Sequence, residues 1–254
     1  ITGAGNYSGT KTLTFTINKV SLTPTATVNS KAYDGTTNAT GTVSIPAGVN
    51  SETPTLKSGT TYRFSNKNAG TGKTVYVENI ELDDIWKTNY QLTASTVTLT
   101  NGSINKVQLT AKFDMGEDVV IYGSTPNLNQ YIEVTGFITG EGAVASTGIT
   151  KADGYVAPTV TNTNTAVGTY TLTPAGGQAT NYTFKYVGGT LNIVKKQANV
   201  TITLNPTSYD YDGTEKEPTV TVVDNETSAT LVQGTDYTVE YSDNVNAGTA
   251  KAIV

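Results

Sequence analysis

The chain has 254 residues, with no cysteine, no histidine and a net charge of −5. Thiol chemistry, disulfides, the usual zinc and haem ligands and every mechanism with an imidazole base are therefore excluded. The acidic balance, with no Lys/Arg cluster beyond Lys195-Lys196, argues against nucleic acid as a partner, and no apolar run reaches the ~18–20 residues of a membrane span.

Read in chain order, the elements are short and β-like. "KTLTFTI" alternates Leu13, Phe15 and Ile17 with Thr12, Thr14 and Thr16, which predicts a strand. "TYRFS" (61–65), "TVYVENI" (74–80), "YIEVTGFI" (131–138), "TFKYV" (183–187), "NVTITL" (199–204) and "YTVEYS" (237–242) predict further strands. Gly, Asn, Asp and Pro separate them, and no stretch carries a helical apolar stripe. About seven short strands in roughly 88 residues point to an Ig-like β-sandwich.

The sandwich is repeated. Tyr33, Tyr122 and Tyr211 follow one another at intervals of 89 residues, opening "YDGT", "YGST" and "YDGT". Asn68-Ala69-Gly70-Thr71 lies 35 residues after Tyr33, and Asn246-Ala247-Gly248-Thr249 lies 35 after Tyr211; Ala166-Val167-Gly168-Thr169 is the looser middle version. A third marker, Asn-Tyr, stands at Asn6-Tyr7, Asn89-Tyr90 and Asn181-Tyr182. Each is followed by a Thr/Val-rich strand ending at Lys19, Lys106 or Lys195. Shared marker order and spacing identify a tandem array. The expected domains are 19–105, 106–194 and 195–254. The last lacks its closing strands, while residues 1–18 have the form of closing strands of a preceding or swapped repeat. Links such as "NKVSLT" and "NKVQLT" are short, so the expected arrangement is an elongated rod.

On these residues the chain resembles the YDG and MBG families of bacterial surface-protein repeats. The YDG likeness rests on "AYDGTT", "NAGTGKTVYVENIEL" and "NYQLT", and the MBG likeness on "YGSTPNL" and "AVGTYTLTPAGGQATNYTFKYVGGTLNIVKK". The third repeat, with "YDYDGTEKEPTVTV", "GTDYTVEYS" and "NAGTAKAIV", is also MBG-like. The resemblance implies a segment of a larger extracellular protein at the bacterial cell surface or cell wall, in adhesins and filamentous haemagglutinin-like proteins, where such units form spacer arrays. It supplies no catalytic residues.

The candidate sites divide into joints and loops. Tyr33, Asp34 and Gly35, Tyr122 and Gly123, and Tyr211, Asp212 and Gly213 are structural turns. Asp-Gly supplies a side chain that hydrogen-bonds nearby N–H groups and a residue tolerant of positive φ. The tyrosine ring is expected in the core, with its hydroxyl on the backbone of a neighbouring strand. The loop holding Asp83, Asp84, Trp86 and Asn89 is the one unit-specific feature. Trp86 there either anchors the loop on the sandwich edge or stacks on a sugar of a host glycan or protein. Calcium is weighed at Asp83-Asp84 and at Asp114, Glu117 and Asp118, but neither stretch has EF-hand spacing, so solvated loop charges are preferred and no cofactor is expected. No nucleophile motif is present, and no enzyme is expected. The expected partners are neighbouring repeats of the same protein. They include head-to-tail self-association in which residues 1–18 of one copy complete residues 196–254 of the next by strand addition.

Overall fold

The computed structural model describes residues 2–254. It contains twenty strands and two 3-10 turns, Val49–Ser51 and Leu128–Tyr131, and no α-helix among the described residues. The protein is all-β, as the alternating Thr/Val composition requires. The chain divides into two compact units: one takes in residues through Asp118, Pro126–Asn164 and Thr169–Leu191, and the other Val119–Thr125, Thr165–Gly168 and Asn192–Val254.

The first unit contains two consecutive sandwich modules. In the first module, a four-stranded sheet runs in the order Lys31–Ala32, Val97–Asn105, Gly70–Glu78, Thr61–Phe64. Val20–Leu22 pairs in parallel with Tyr90–Leu92, and Thr25–Val28 pairs antiparallel with Gly41–Ser44. Phe64, Val75, Val77 and Ile104 are buried between these layers. In the second module Val107–Phe113 is central. It pairs antiparallel with Ile132–Thr135 and in parallel with Tyr182–Val187. The same construction opens both modules: the Val20 N–H donates to the Asn89 carbonyl (2.9 Å), and the Val107 N–H to the Asn181 carbonyl (3.1 Å). Only Lys106 separates Val97–Asn105 from Val107–Phe113.

In the second unit Val200–Asn205 pairs antiparallel with Thr219–Asp224, and Glu240–Ser242 with Lys251–Ile253. Val120–Ile121 pairs in parallel with the end of Gly189–Val194, at Ile193 and Val194. Val220 and Val222 are buried, and the Tyr237 and Tyr241 hydroxyls close onto the carbonyls of Val220 (2.9 Å) and Pro218 (2.6 Å).

One predicted strand is not formed. Residues 11–19 carry no strand, and Leu13, Phe15 and Ile17 are 76%, 84% and 83% exposed. A strand persists only when its backbone groups find a ladder, and this segment has none within the described residues.

The turns at Tyr33 and Tyr211 are built alike. Asp34 Oδ1 accepts from the Thr36 N–H (2.9 Å), the Thr36 hydroxyl (2.9 Å) and Lys31 Nζ (2.7 Å). Asp212 Oδ1 accepts from the Thr214 N–H (2.9 Å) and hydroxyl (2.7 Å), and its other oxygen pairs with Lys216. Gly35 and Gly213 take φ of +78° and +79°, a region in which a side chain is strained. Burial alone would raise the Asp34 pKa, but the bonds from Lys31 and Thr36 outweigh it and hold the group below the ordinary carboxylate value. Asp34→Ala is expected to lower stability by about 1–2 kcal/mol, the usual loss for a side-chain cap on backbone N–H. Denaturant unfolding monitored in the first unit measures it, and an unchanged midpoint would refute the capping role.

Candidate interdomain joint

The turn at Tyr33 does more than reverse the chain. Its ring is 2% exposed and belongs to a single core cluster that draws Phe64, Val75 and Ile104 from the first module and Leu109, Ala152, Tyr155, Ala179 and Tyr182 from the second. Tyr33 meets Tyr182 edge-on, with ring centroids 5.6 Å apart, and Tyr182 meets Phe137 edge-on at 5.4 Å, both favourable quadrupole geometries.

At the centre of this aromatic layer lies Glu141, whose side chain is only 10% exposed. Its Oε1 accepts from the Tyr33 hydroxyl (2.6 Å) and its Oε2 from the Tyr182 hydroxyl (2.8 Å). Lys67 Nζ stands 3.6 Å away. A carboxylate taken out of water requires this degree of compensation. Burial first, and the bond to Glu141 second, push the Tyr182 hydroxyl up to about 12. The same causes in the same order raise Tyr33 further.

Beside the carboxylate, Asn181 is fully buried. Its Oδ1 accepts from the Ala69 N–H (2.9 Å) and its Nδ2 donates to Asn68 Oδ1 (3.3 Å). Three markers of the repeat thus meet at one place: the Tyr-Asp-Gly-Thr turn and Asn-Ala-Gly-Thr of one module, and Asn-Tyr of the next. The expected acceptor for the Tyr33 hydroxyl is corrected: it is the Glu141 carboxylate of the following module rather than a strand backbone. Glu141 was not singled out in the sequence, because an isolated Glu in "ITGEGAV" carries no spacing signal.

The expectation that every such tyrosine is a core residue is also corrected. Tyr122 is 50% exposed and Tyr211 67% exposed. Burial of the ring depends on a neighbour presenting an Asn-Tyr face to it, and the turn alone does not supply that.

The first module has a corresponding Asn-Tyr face. Tyr90 is buried, donates its hydroxyl to Glu52 and accepts from the Val49 N–H (2.8 Å). Tyr182 likewise bonds Glu141 and accepts from the Ile138 N–H (3.3 Å). Glu52 and Asn89 are exposed.

The loop around Trp86 engages most of its polar groups internally. Thr55 donates to Asp83, Lys87 donates to Asp84 (2.7 Å), and the latter pair lowers the Asp84 pKa. Trp86 meets Tyr90 edge-on at 6.0 Å and packs on Leu22, Leu82 and Tyr90. Its indole N–H is buried without an acceptor. Asp114 is held by Lys112 and by the Gly116 N–H (3.0 Å). Among the described residues no three acidic side chains converge as a metal site would need.

The profile of the YDG domain family matches residues 17–98, and that of the MBG domain (YGX type) matches residues 115–192. The chain carries a YDG domain followed by an MBG domain. No curated protein and no solved structure matches it. The joint around Glu141 is therefore a contact between the YDG and MBG domains.

Glu141→Ala is expected to cost roughly 2–4 kcal/mol, because two buried hydroxyls lose a charged acceptor. Chemical denaturation measures this, and a loss under about 0.5 kcal/mol, as for an ordinary surface substitution, would refute the joint. The joint also predicts a pH response. The Tyr182 pKa is raised from 10.0 to about 12 in the folded state, so the folded state binds its proton more tightly. That contribution is complete below the unfolded value of 10.0 and is lost as pH rises through about 12. Melting temperature is expected to fall across this window, and less so in Tyr182→Phe.

Proposed function

We propose that the chain is a spacer segment of a bacterial surface protein, extracellular and non-enzymatic, whose repeats hold a binding region away from the cell. The observation that carries this reading is the joint. Residues that mark the repeats fix the YDG domain on the MBG domain, through a shared core, a buried carboxylate and a one-residue link. A stalk needs such joints, because its reach depends on each domain holding the direction of the one before it. The YDG and MBG families are consistent with this role as surface-protein repeat modules.

The second reading, recognition of a glycan or host protein through the loop of Asp83, Asp84, Trp86 and Asn89, is favoured by one observation, the unpaired Trp86 indole N–H. Against it, the Trp86 ring packs on Tyr90 and the loop carboxylates are engaged by Thr55 and Lys87.

Small-angle scattering on monomeric protein tests the spacer. Three sandwiches in line give a maximum dimension on the order of 100 Å. A radius of gyration near the ~18 Å of a compact chain of this length would refute it. Glycan-array binding that disappears in folded Trp86→Ala would favour the recognition reading instead.

A further inference from the structure

Both domains fold an N-terminal segment onto their C-terminal strands, and in each the pairing is parallel. In the YDG domain Val20–Leu22 pairs with Tyr90–Leu92 over three residues, and Lys31 and Ala32 pair with Ile104 and Asn105 at the end of the last strand. In the MBG domain Val107–Lys112 pairs with Tyr182–Val187 over six residues, and Val120 and Ile121 pair with Ile193 and Val194.

The direction of these ladders decides how they meet a pull along the chain. Tension draws the N-terminal segment of a domain backward and its C-terminal strands forward. In a parallel pair the two pulls act at opposite ends of the ladder and along its length. Its evenly spaced hydrogen bonds are then loaded together. In an antiparallel pair the same pulls would meet at one end and open the bonds singly.

Between the two domains the load passes through Lys106. On one side the Tyr33 N–H donates to the Asn105 carbonyl (2.8 Å), and on the other the Val107 N–H donates to the Asn181 carbonyl (3.1 Å). Tyr33 and Asn181 are also residues of the joint, where Tyr33 bonds Glu141 and Asn181 Oδ1 accepts from the Ala69 N–H. The ladder ends that meet the load first are thus tied into the buried polar network, which resists partial opening.

We propose that the YDG and MBG domains bear tension in a graded way, the YDG domain yielding first and sparing the MBG domain. Ladder length carries the ranking. The pairing at the last strand covers two residues in each domain, but the pairing of the first strand covers three in the YDG domain and six in the MBG domain. A yielding domain of roughly 88 residues releases on the order of 300 Å of chain, which relaxes the pull before the next domain is reached.

The inference rests on the spacer reading for its use, since a segment between two attachment points is the one that is pulled. Scattering tests that reading, whereas stretching tests the ladders, so either can fail alone. Single-molecule stretching of the full chain from its two ends is the experiment, because forced unfolding reads the unfolding barrier rather than equilibrium stability. Two engineered disulfides identify the events in a chain that has no cysteine of its own. Ser21→Cys with Gln91→Cys bridges the YDG ladder at an exposed pair whose side chains already touch, Gln91 Nε2 donating to Ser21 Oγ (3.0 Å). Gln108→Cys with Thr183→Cys bridges the MBG ladder at an exposed pair. The first bridge closes off 70 positions and is expected to shorten the lower-force event by roughly 240 Å. The second closes off 75 positions and is expected to shorten the higher-force event by roughly 260 Å. The MBG event is expected at a force higher by roughly half or more, in line with the greater number of bonds loaded together. Val20→Pro removes the N–H that bonds the Asn89 carbonyl (2.9 Å), at the first residue of a strand, where proline is tolerated. It is expected to lower the force of the YDG event and leave the MBG event unchanged. The proposal is overturned if both domains yield at one force, if the Ser21–Gln91 bridge shortens the higher-force event, or if Val20→Pro yields at the wild-type force.

Discussion

The arrangement of the YDG and MBG domains depends on one carboxylate that has been taken out of water. Glu141 sits in an aromatic layer where an uncompensated charge would be costly, and its two oxygens are satisfied by Tyr33 from one domain and Tyr182 from the other. Each of these bonds to a charged group is worth roughly 1.5–3 kcal/mol, whereas an exposed pair such as Arg63–Glu78 is screened by solvent and contributes little. The larger effect lies in geometry. Neither tyrosine can turn away without stranding the carboxylate, and Asn181 fixes the neighbouring backbone at Ala69. Two sandwiches joined by a single lysine would otherwise be free to tilt. The buried network removes that freedom and explains why the two domains share one core cluster.

The joint has a direction. One face of a domain offers Tyr-Asp-Gly-Thr and Asn-Ala-Gly-Thr, and the opposite role is played by an Asn-Tyr pair locked to a glutamate. The YDG domain has an Asn-Tyr face of like construction, with Tyr90 bonded to Glu52 and Val49 much as Tyr182 is bonded to Glu141 and Ile138. Pre-forming the glutamate–tyrosine pair inside one domain means that docking adds only one hydroxyl and one asparagine. Little side-chain freedom is then lost at contact, which favours tight association over a small area.

The period of 89 residues, the alternating strands and the turn chemistry were legible in the sequence, because each is a local pattern that recurs. The all-β fold followed from them. The acceptor of the Tyr33 hydroxyl was not legible. Glu141 precedes Asn181 by 40 residues and Glu52 precedes Asn89 by 37, so the two glutamates fall out of register and carry no common motif. Their equivalence lies in three dimensions, where loops of different length bring both to the same tyrosine. "KTLTFTI" shows the converse failure. Its alternation is as regular as that of any strand in the chain, yet it forms none, since pattern specifies which face would be buried but cannot supply the neighbouring edge. Tyr211 follows the same logic: an identical tetrapeptide is buried at Tyr33 and exposed here, and the difference lies in what covers it.

The middle repeat explains why the tyrosine can be kept while the aspartate is lost. In "YDGT" the glycine with positive φ is two residues after the tyrosine, and the Asp34 side chain closes the turn onto the Thr36 N–H. In "YGST" the positive-φ residue is Gly123, directly after Tyr122. The turn there is closed by backbone, from the Ser124 N–H to the Ile121 carbonyl (3.0 Å), with the Ser124 hydroxyl on the same oxygen (2.7 Å). Glycine at the third position of such a four-residue turn is what a type II geometry requires. An Asx-type closure and a backbone closure are different chemistries, but each follows a strand whose residue two before the tyrosine pairs in parallel with an isoleucine, Lys31 with Ile104 and Val120 with Ile193. What the repeats share is the placement of a tyrosine at the end of that strand. At Tyr33 the two roles are separate: Asp34 serves the backbone of the turn, and the tyrosine hydroxyl serves the next domain.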